Sequence, residues 1–261
     1  MTHRATTLLV VCLALTAGCS FLAPNPDSYS SHHYYSLGVD LNGNVSDVTI
    51  RLPVAQQGGD TTYNVTTLTG NGTVEGVFDA ELIDTDRGPM LELTADEVRV
   101  EPRYYRFVVE GDMGRRERIP ASEYDPTNPD HQKIDRRGVG LSADQRADYP
   151  IETQAPLGAS PTLYADDAVT RELADCELPA QESMVCFAYD APVYLSYESD
   201  ADVSVAGSVL LEGTNEWFEG GWSGNSYVDR IDFNVTGPQD GWVTVDGATE
   251  TSRGRYPSPE A

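Results

Sequence analysis

Alternation with a period of two runs through much of the chain. Val48, Ile50, Leu52 and Val54 fall on one side, with Thr49, Arg51 and Pro53 on the other. The spacing returns at Val203, Val205, Gly207, Val209 and Leu211, at Tyr227, Asp229, Ile231, Phe233 and Val235, and more briefly at Tyr105, Phe107 and Val109. Successive side chains of a strand point to opposite faces, so each run predicts a half-buried strand. Clusters of Gly, Asn, Asp and Pro between the runs predict turns. A 3.6-residue stripe is weak everywhere, and residues 166–176 are the one place for a helix, a short one. The expected fold is mainly β: an antiparallel β-sandwich-like domain with a long irregular insertion and at most one short helix.

The insertion is placed at residues 113–160, where alternation fades and large apolar residues are few. Its first part, residues 113–147, carries seven Lys+Arg against six Asp+Glu. The whole chain of 261 residues has 17 Lys+Arg and 42 Asp+Glu, a formal charge of -25. Residues 113–147 are therefore the electrically distinct part. Their bland role is to pair arginines with the protein's own acids. Their sharper role is to dock an acidic neighbour or anionic lipid heads.

The overall charge excludes a nucleic-acid binder, since that function needs cations to displace counterions from phosphate. Sixteen of the 17 cations are arginine, Lys133 being the single lysine. At molar salt the Debye length is about 3 Å, so carboxylate repulsion is screened and hydrated acids keep a protein soluble. This composition resembles that of folded proteins from extreme halophiles.

The amino terminus reads as an address. A short positive start is followed by Leu8 to Leu15, an apolar stretch too short to span a bilayer, which needs about 20 residues. Residues 1–18 are expected to be a signal peptide. Ala17-Gly18-Cys19 resembles the lipobox of secreted lipoproteins, with Thr16 where Leu is usual. Cys19 is the expected lipidation site, and residues 19–32, rich in Ser and Pro, the tether. Residues 33–250 form the expected acidic β-rich domain and 251–261 a disordered tail.

Two cysteines remain after Cys12 and Cys19, and in an exported domain Cys176 and Cys186 are an expected disulfide. Sequons begin at Asn44, Asn64, Asn71 and Asn234, four among nine asparagines, which favours surface glycosylation.

Reaction chemistry is hard to find, and no catalytic residue is assigned. Only His32, His33 and His131 follow the signal. Gly221-Trp222-Ser223-Gly224 fails the spacing of a nucleophile elbow, and neither a phosphate loop nor a dinucleotide fingerprint is present. No cofactor is expected. Asp125, Asn128 and Asp130 supply oxygens for a candidate structural Ca²⁺ or Mg²⁺, although Asp and Asn beside Pro more often make turns. All three tryptophans lie within residues 217–242. Trp217, Trp222, Asn225, Tyr227 and Trp242 are a candidate sugar-binding group, against the alternative that the rings close one end of the core. Exposure of Trp217 and Trp222 separates the two.

Together, signal, tether, acidic β-rich domain and sequons resemble haloarchaeal secreted lipoproteins of uncharacterised function. The resemblance implies a lipid anchor on the outer face of the cytoplasmic membrane, with an envelope protein or glycan as partner. The leading expectation is a non-enzymatic binding or structural module. The alternatives are the solute-binding lipoprotein of a transporter and an envelope hydrolase.

Overall fold

In a computed structural model, residues 29–64, 68, 72–111, 113–165, 167–176, 184–218 and 220–254 are described. The expected signal, Cys19, Asn71 and the end of the tail lie outside them. Among these residues sixteen strands follow in chain order. They are β1 (Ser30–Leu41), β2 (Val45–Pro53), β3 (Gln56–Gln57), β4 (Asp60–Thr61), β5 (Thr73–Val74), β6 (Phe78–Thr85), β7 (Gly88–Val98) and β8 (Arg103–Glu110). Then come β9 (Met113–Ile119), β10 (His131–Ile134), β11 (Arg137–Ala147), β12 (Arg171–Ala174), β13 (Val185–Ser199), β14 (Ser204–Phe218), β15 (Trp222–Thr236) and β16 (Gln239–Gly254).

The fold is mainly β and its paired strands run antiparallel, as the alternation predicts. One eleven-stranded sheet runs β11-β1-β14-β15-β16-β13-β2-β7-β6-β5, with β12 on the free part of β13. Its two ends, β11 and β5, approach within 8 Å at Cα, so the sheet is nearly closed. The inward files are those of the sequence: Val48, Ile50 and Leu52 on β2, Val205, Val209 and Leu211 on β14, Ile231 and Phe233 on β15, all buried. Gly207 leaves a gap in its file because the Phe233 ring fills it. A Cβ there would stand 2.3 Å from that ring.

Side chains fill only part of the interior. The rest is filled by main chain, from the irregular connection between β11 and β12. Ile151, Thr153, Thr162, Leu163 and Tyr164 are all buried. Buried N–H and C=O groups must find partners, and inward polar side chains of β14 and β15 supply them. Asn215 receives the Ile151 N–H at 2.9 Å and donates to the Ile151 carbonyl at 2.8 Å. Tyr227 donates to the Pro161 carbonyl at 2.6 Å, and Asp229 accepts from the Leu163 N–H at 2.8 Å. Gln56 and Thr162 exchange backbone bonds at 2.9 and 2.8 Å, closing the plug against β3.

Several expectations are corrected. Residues 113–160 are not irregular throughout: β9, β10 and β11 lie within them. Their weak alternation has a cause, since two of these strands belong to a small sheet with little to bury. The short helix at residues 166–176 is replaced in its second half by β12. There, backbone pairing with β13, from Arg171↔Tyr189 to Ala174↔Cys186, outweighs a weak local preference. A disulfide joins Cys176 to Cys186 beside it. The ordered domain also exceeds its expected limits, because β1 begins at Ser30 and β16 continues to Gly254.

Cross-strand pairing concentrates charge on the outer face. Asp190 lies opposite Asp246, and Asp246 opposite Asp232, making a row of three exposed acids across β13, β16 and β15. Directly opposed like charges destabilise a sheet. Asp246→Asn should raise the melting temperature by about 2 °C at 0.1 M salt. The gain should disappear above 2 M salt, where the charges are screened. Thermal unfolding at the two salt concentrations checks both statements.

His33 faces the interior from β1, 6% exposed, and neither ring nitrogen has a hydrogen-bond partner among the described residues. Loss of water, with a smaller contribution from His32, lowers its pKa from 6.5 to about 4. The folded state thus refuses a proton that the unfolded chain accepts between pH 6.5 and 4, and stability falls as pH falls through that window. The loss should reach about 3 kcal/mol by pH 4. Denaturant titrations at pH 7 and 4.5 should show a shallower pH dependence for His33→Leu than for the natural chain.

Candidate binding face

Strands β8, β9 and β10 form a separate three-stranded sheet in the order β10-β8-β9. Among the described residues its strands pack chiefly on one another. It springs from the end of the barrel where β1 finishes, since Arg137, just after β10, pairs with Leu41. Register sorts its side chains cleanly. Tyr105 opposes Arg118 and Gln132, Phe107 opposes Arg116, Val109 opposes Gly114, and Arg103 opposes Ile134. These residues share one face, and no Asp or Glu is among them.

The acids of the small sheet lie on the other face, where they are paired. Glu117 binds Arg106 at 2.9 Å and Glu110 binds Arg115 at 3.2 Å. That face also carries the loop between β9 and β10, through Tyr124, whose ring is tilted against Tyr104 at 4.8 Å and stacked on His131 at 6.2 Å. Among the described residues the acid-free face has no such cover: Phe107 is 50% and Val109 65% exposed. The end of the Phe107 ring lies over Gly114, where a Cβ would meet it at 2.1 Å. The prediction of a half-buried strand at Tyr105, Phe107 and Val109 is thus correct in period and wrong in burial.

At the base of this face, Arg99, Arg103, Arg118, Arg136 and Arg137 line a cavity of about 310 Å³ together with Glu101. Five of the 17 cations of the chain converge there. Two are held by main chain: Arg103 donates to the Arg136 carbonyl and Arg137 to the Arg99 carbonyl, both at 3.1 Å. Arg99 pairs with Glu97 at 2.7 Å. Among the described residues Arg118 and Arg136 pair with no acid. Planar guanidinium groups present paired donors that match carboxylate, phosphate or sulfate oxygens. The arrangement fits an anion at the base and an apolar or aromatic group alongside.

The residues proposed from sequence go elsewhere. Asn225 and Tyr227 are buried and hold the plug, with Thr153 donating to Asn225 at 2.9 Å. Trp217 is buried and stacks on Tyr29 at 6.5 Å. Trp222 is 72% exposed at the β14–β15 hairpin. Trp242 lies on another part of the sheet, against Tyr194 and under the Arg87 guanidinium at 4.9 Å. These five residues do not form one site. Asp125 uses Oδ1 to accept from the Thr127 N–H and hydroxyl at 2.8 and 2.7 Å, bonds that hold its carboxyl below the usual range. Asn128 accepts from the Asp130 N–H at 3.0 Å. Both are turn residues, and no group of three or more metal-ligating side chains is found among the described residues. Asn44, Asn64 and Asn234 are exposed, as glycan acceptors would need.

The arginine convergence is not visible within residues 113–147 alone, because Arg99 and Arg103 lie outside that segment. Parity held the clue. Glu110 and Glu117 fall on one face of the hairpin and Phe107, Arg116 and Arg118 on the other. Comparison with protein-family models, curated proteins and solved structures finds no match.

Arg103→Gln/Arg118→Gln should weaken binding of polyglutamate by at least tenfold at 0.2 M salt, with an unchanged melting temperature. Titration calorimetry measures it. Equal affinity in the variant would show that these arginines serve the protein's own acids only.

Proposed function

We propose that this protein is a lipid-anchored, extracytoplasmic module of the cell envelope of a halophilic archaeon. In this reading it is a non-enzymatic binder that presents its acid-free face to a polyanionic envelope component. The observation that carries the reading is charge segregation. A chain of net charge -25 keeps one exposed sheet face free of acids and gathers five arginines at its base. The acids of the small sheet, Glu110 and Glu117, lie on its opposite face and are paired there with Arg115 and Arg106.

The proposed location rests on the amino-terminal pattern ending in Ala17-Gly18-Cys19, on the disulfide and on the exposed sequons. The disulfide fits an oxidising compartment. No helix among the described residues is long and apolar enough to cross a membrane. The barrel's polarity, apolar inside with exposed acids such as Asp232 and Asp246 outside, is the reverse of a lipid-facing barrel. An attached lipid is the anchor that this polarity leaves room for.

Cys19→Ser should release the protein into the medium or leave it unprocessed, as read by membrane fractionation and intact mass. Membrane-bound protein of mature mass in that variant would overturn the anchor.

A further inference from the structure

The hairpin joining β14 to β15 ends in two exposed aromatic side chains. Phe218 is 41% and Trp222 72% exposed, and their rings meet edge to face at 5.7 Å. They are directly paired in register, so the ladder holds them side by side at the tip of a hairpin of two fifteen-residue strands. Burial of either ring inside the protein would be favourable, yet both stand outside it. An exposed pair of this size at a projecting tip marks a contact surface.

The chain's own entry point identifies what that surface meets. Ser30, the first residue of β1, pairs with Glu216, two residues before Phe218. Tyr29 stacks on Trp217, the neighbour of Phe218. The segment from Cys19 therefore joins the domain beside the tip. Only nine residues lie between Cys19 and Tyr29, a reach of at most about 35 Å over ten Cα steps. Whatever holds Cys19 lies within that distance of Tyr29, which stacks beside the tip. Behind the rings the surface turns polar, with a cavity of about 470 Å³ lined in part by Thr214, Glu216, Ser226 and Arg253. Apolar rings in front of a polar shoulder match the boundary between acyl chains and headgroups, where tryptophan concentrates.

We infer that Phe218 and Trp222 form a membrane-interface wedge that enters the bilayer to which Cys19 is tied. The inference rests on the lipid-anchor reading and adds a second attachment to it. Two weak attachments make a stable one, because each keeps the other at the surface. The wedge also orients the molecule. It sits at the Ser30 end of β1, whereas Arg137 and the arginine cavity sit at the Leu41 end, roughly 35 Å away along the strand. The base of the acid-free face is thereby held away from the anchoring bilayer.

The test uses protein purified from the membranes of the producing cell and reconstituted in phosphatidylglycerol–phosphatidylcholine vesicles with brominated acyl chains. Bromine should quench part of the tryptophan emission, since Trp217 is buried and Trp242 lies on a different part of the sheet. Trp222→Phe should abolish the quenchable fraction while keeping vesicle binding. Phe218→Ser/Trp222→Ser should raise the fraction washed from native membranes at least threefold, without changing the melting temperature. Mass analysis of the amino-terminal peptide separates the two failures. An unmodified Cys19 overturns the anchor and the wedge with it, and a lipidated protein with unquenched emission overturns the wedge alone.

Discussion

A carboxylate with no access to water organises the interior. Asp229 is fully buried and accepts from the Tyr189 hydroxyl at 2.7 Å, the Thr249 hydroxyl at 3.0 Å and the Leu163 N–H at 2.8 Å. The Arg171 guanidinium stands at 3.4 Å and lies 4.6 Å over the Tyr189 ring. Four structural elements thus meet at one side chain: β15, β16, β13 and the plug with β12. Burial and the neighbouring carboxylate push the Tyr189 hydroxyl well above its usual pKa, which keeps it a donor. A buried charge is tolerable only when every lone pair is engaged, so the cluster specifies where the plug lies.

The plug itself follows from geometry. A sheet of this many strands, nearly closed, encloses more width than side chains from its walls can fill. Irregular main chain supplies the missing volume at the Ser30 end, and it brings amide groups that need partners. Asn215, Asn225, Tyr227 and Asp229 are the answer to that need, which explains polar residues in inward registers. Toward the other end no plug is found among the described residues, and Phe233, Val205 and Leu41 fill the space directly.

Charge is unevenly distributed as well. Exposed acids cover the outer face, to the point of opposing one another across strands, while arginines collect on the small sheet and at its base. The two ends of the barrel consequently differ in chemistry: exposed aromatic rings beside the chain's entry at one, guanidinium groups at the other. In the reading proposed above, one end faces a bilayer and the other a polyanion. Both surfaces are assembled from residues distant in sequence, such as Arg99 with Arg136, or Tyr29 with Trp217.

Period-two alternation alone determined β2, β14 and β15, their inward files and the mainly β class, because one buried face per strand leaves a local signature. The even cysteine pair and the uneven charge around residues 113–147 were equally legible. Near-closure of the sheet, the plug and the buried ion pair were decided by tertiary structure, since Arg171 and Asp229 are partners only after β12 docks beside β13. The same holds for β12, whose four residues favour a helix by themselves and a strand once a free edge is offered. Tyr105, Phe107 and Val109 show the limit most plainly. Their spacing dictates a strand with one apolar face, but whether that face meets a core or solvent depends on what packs against it.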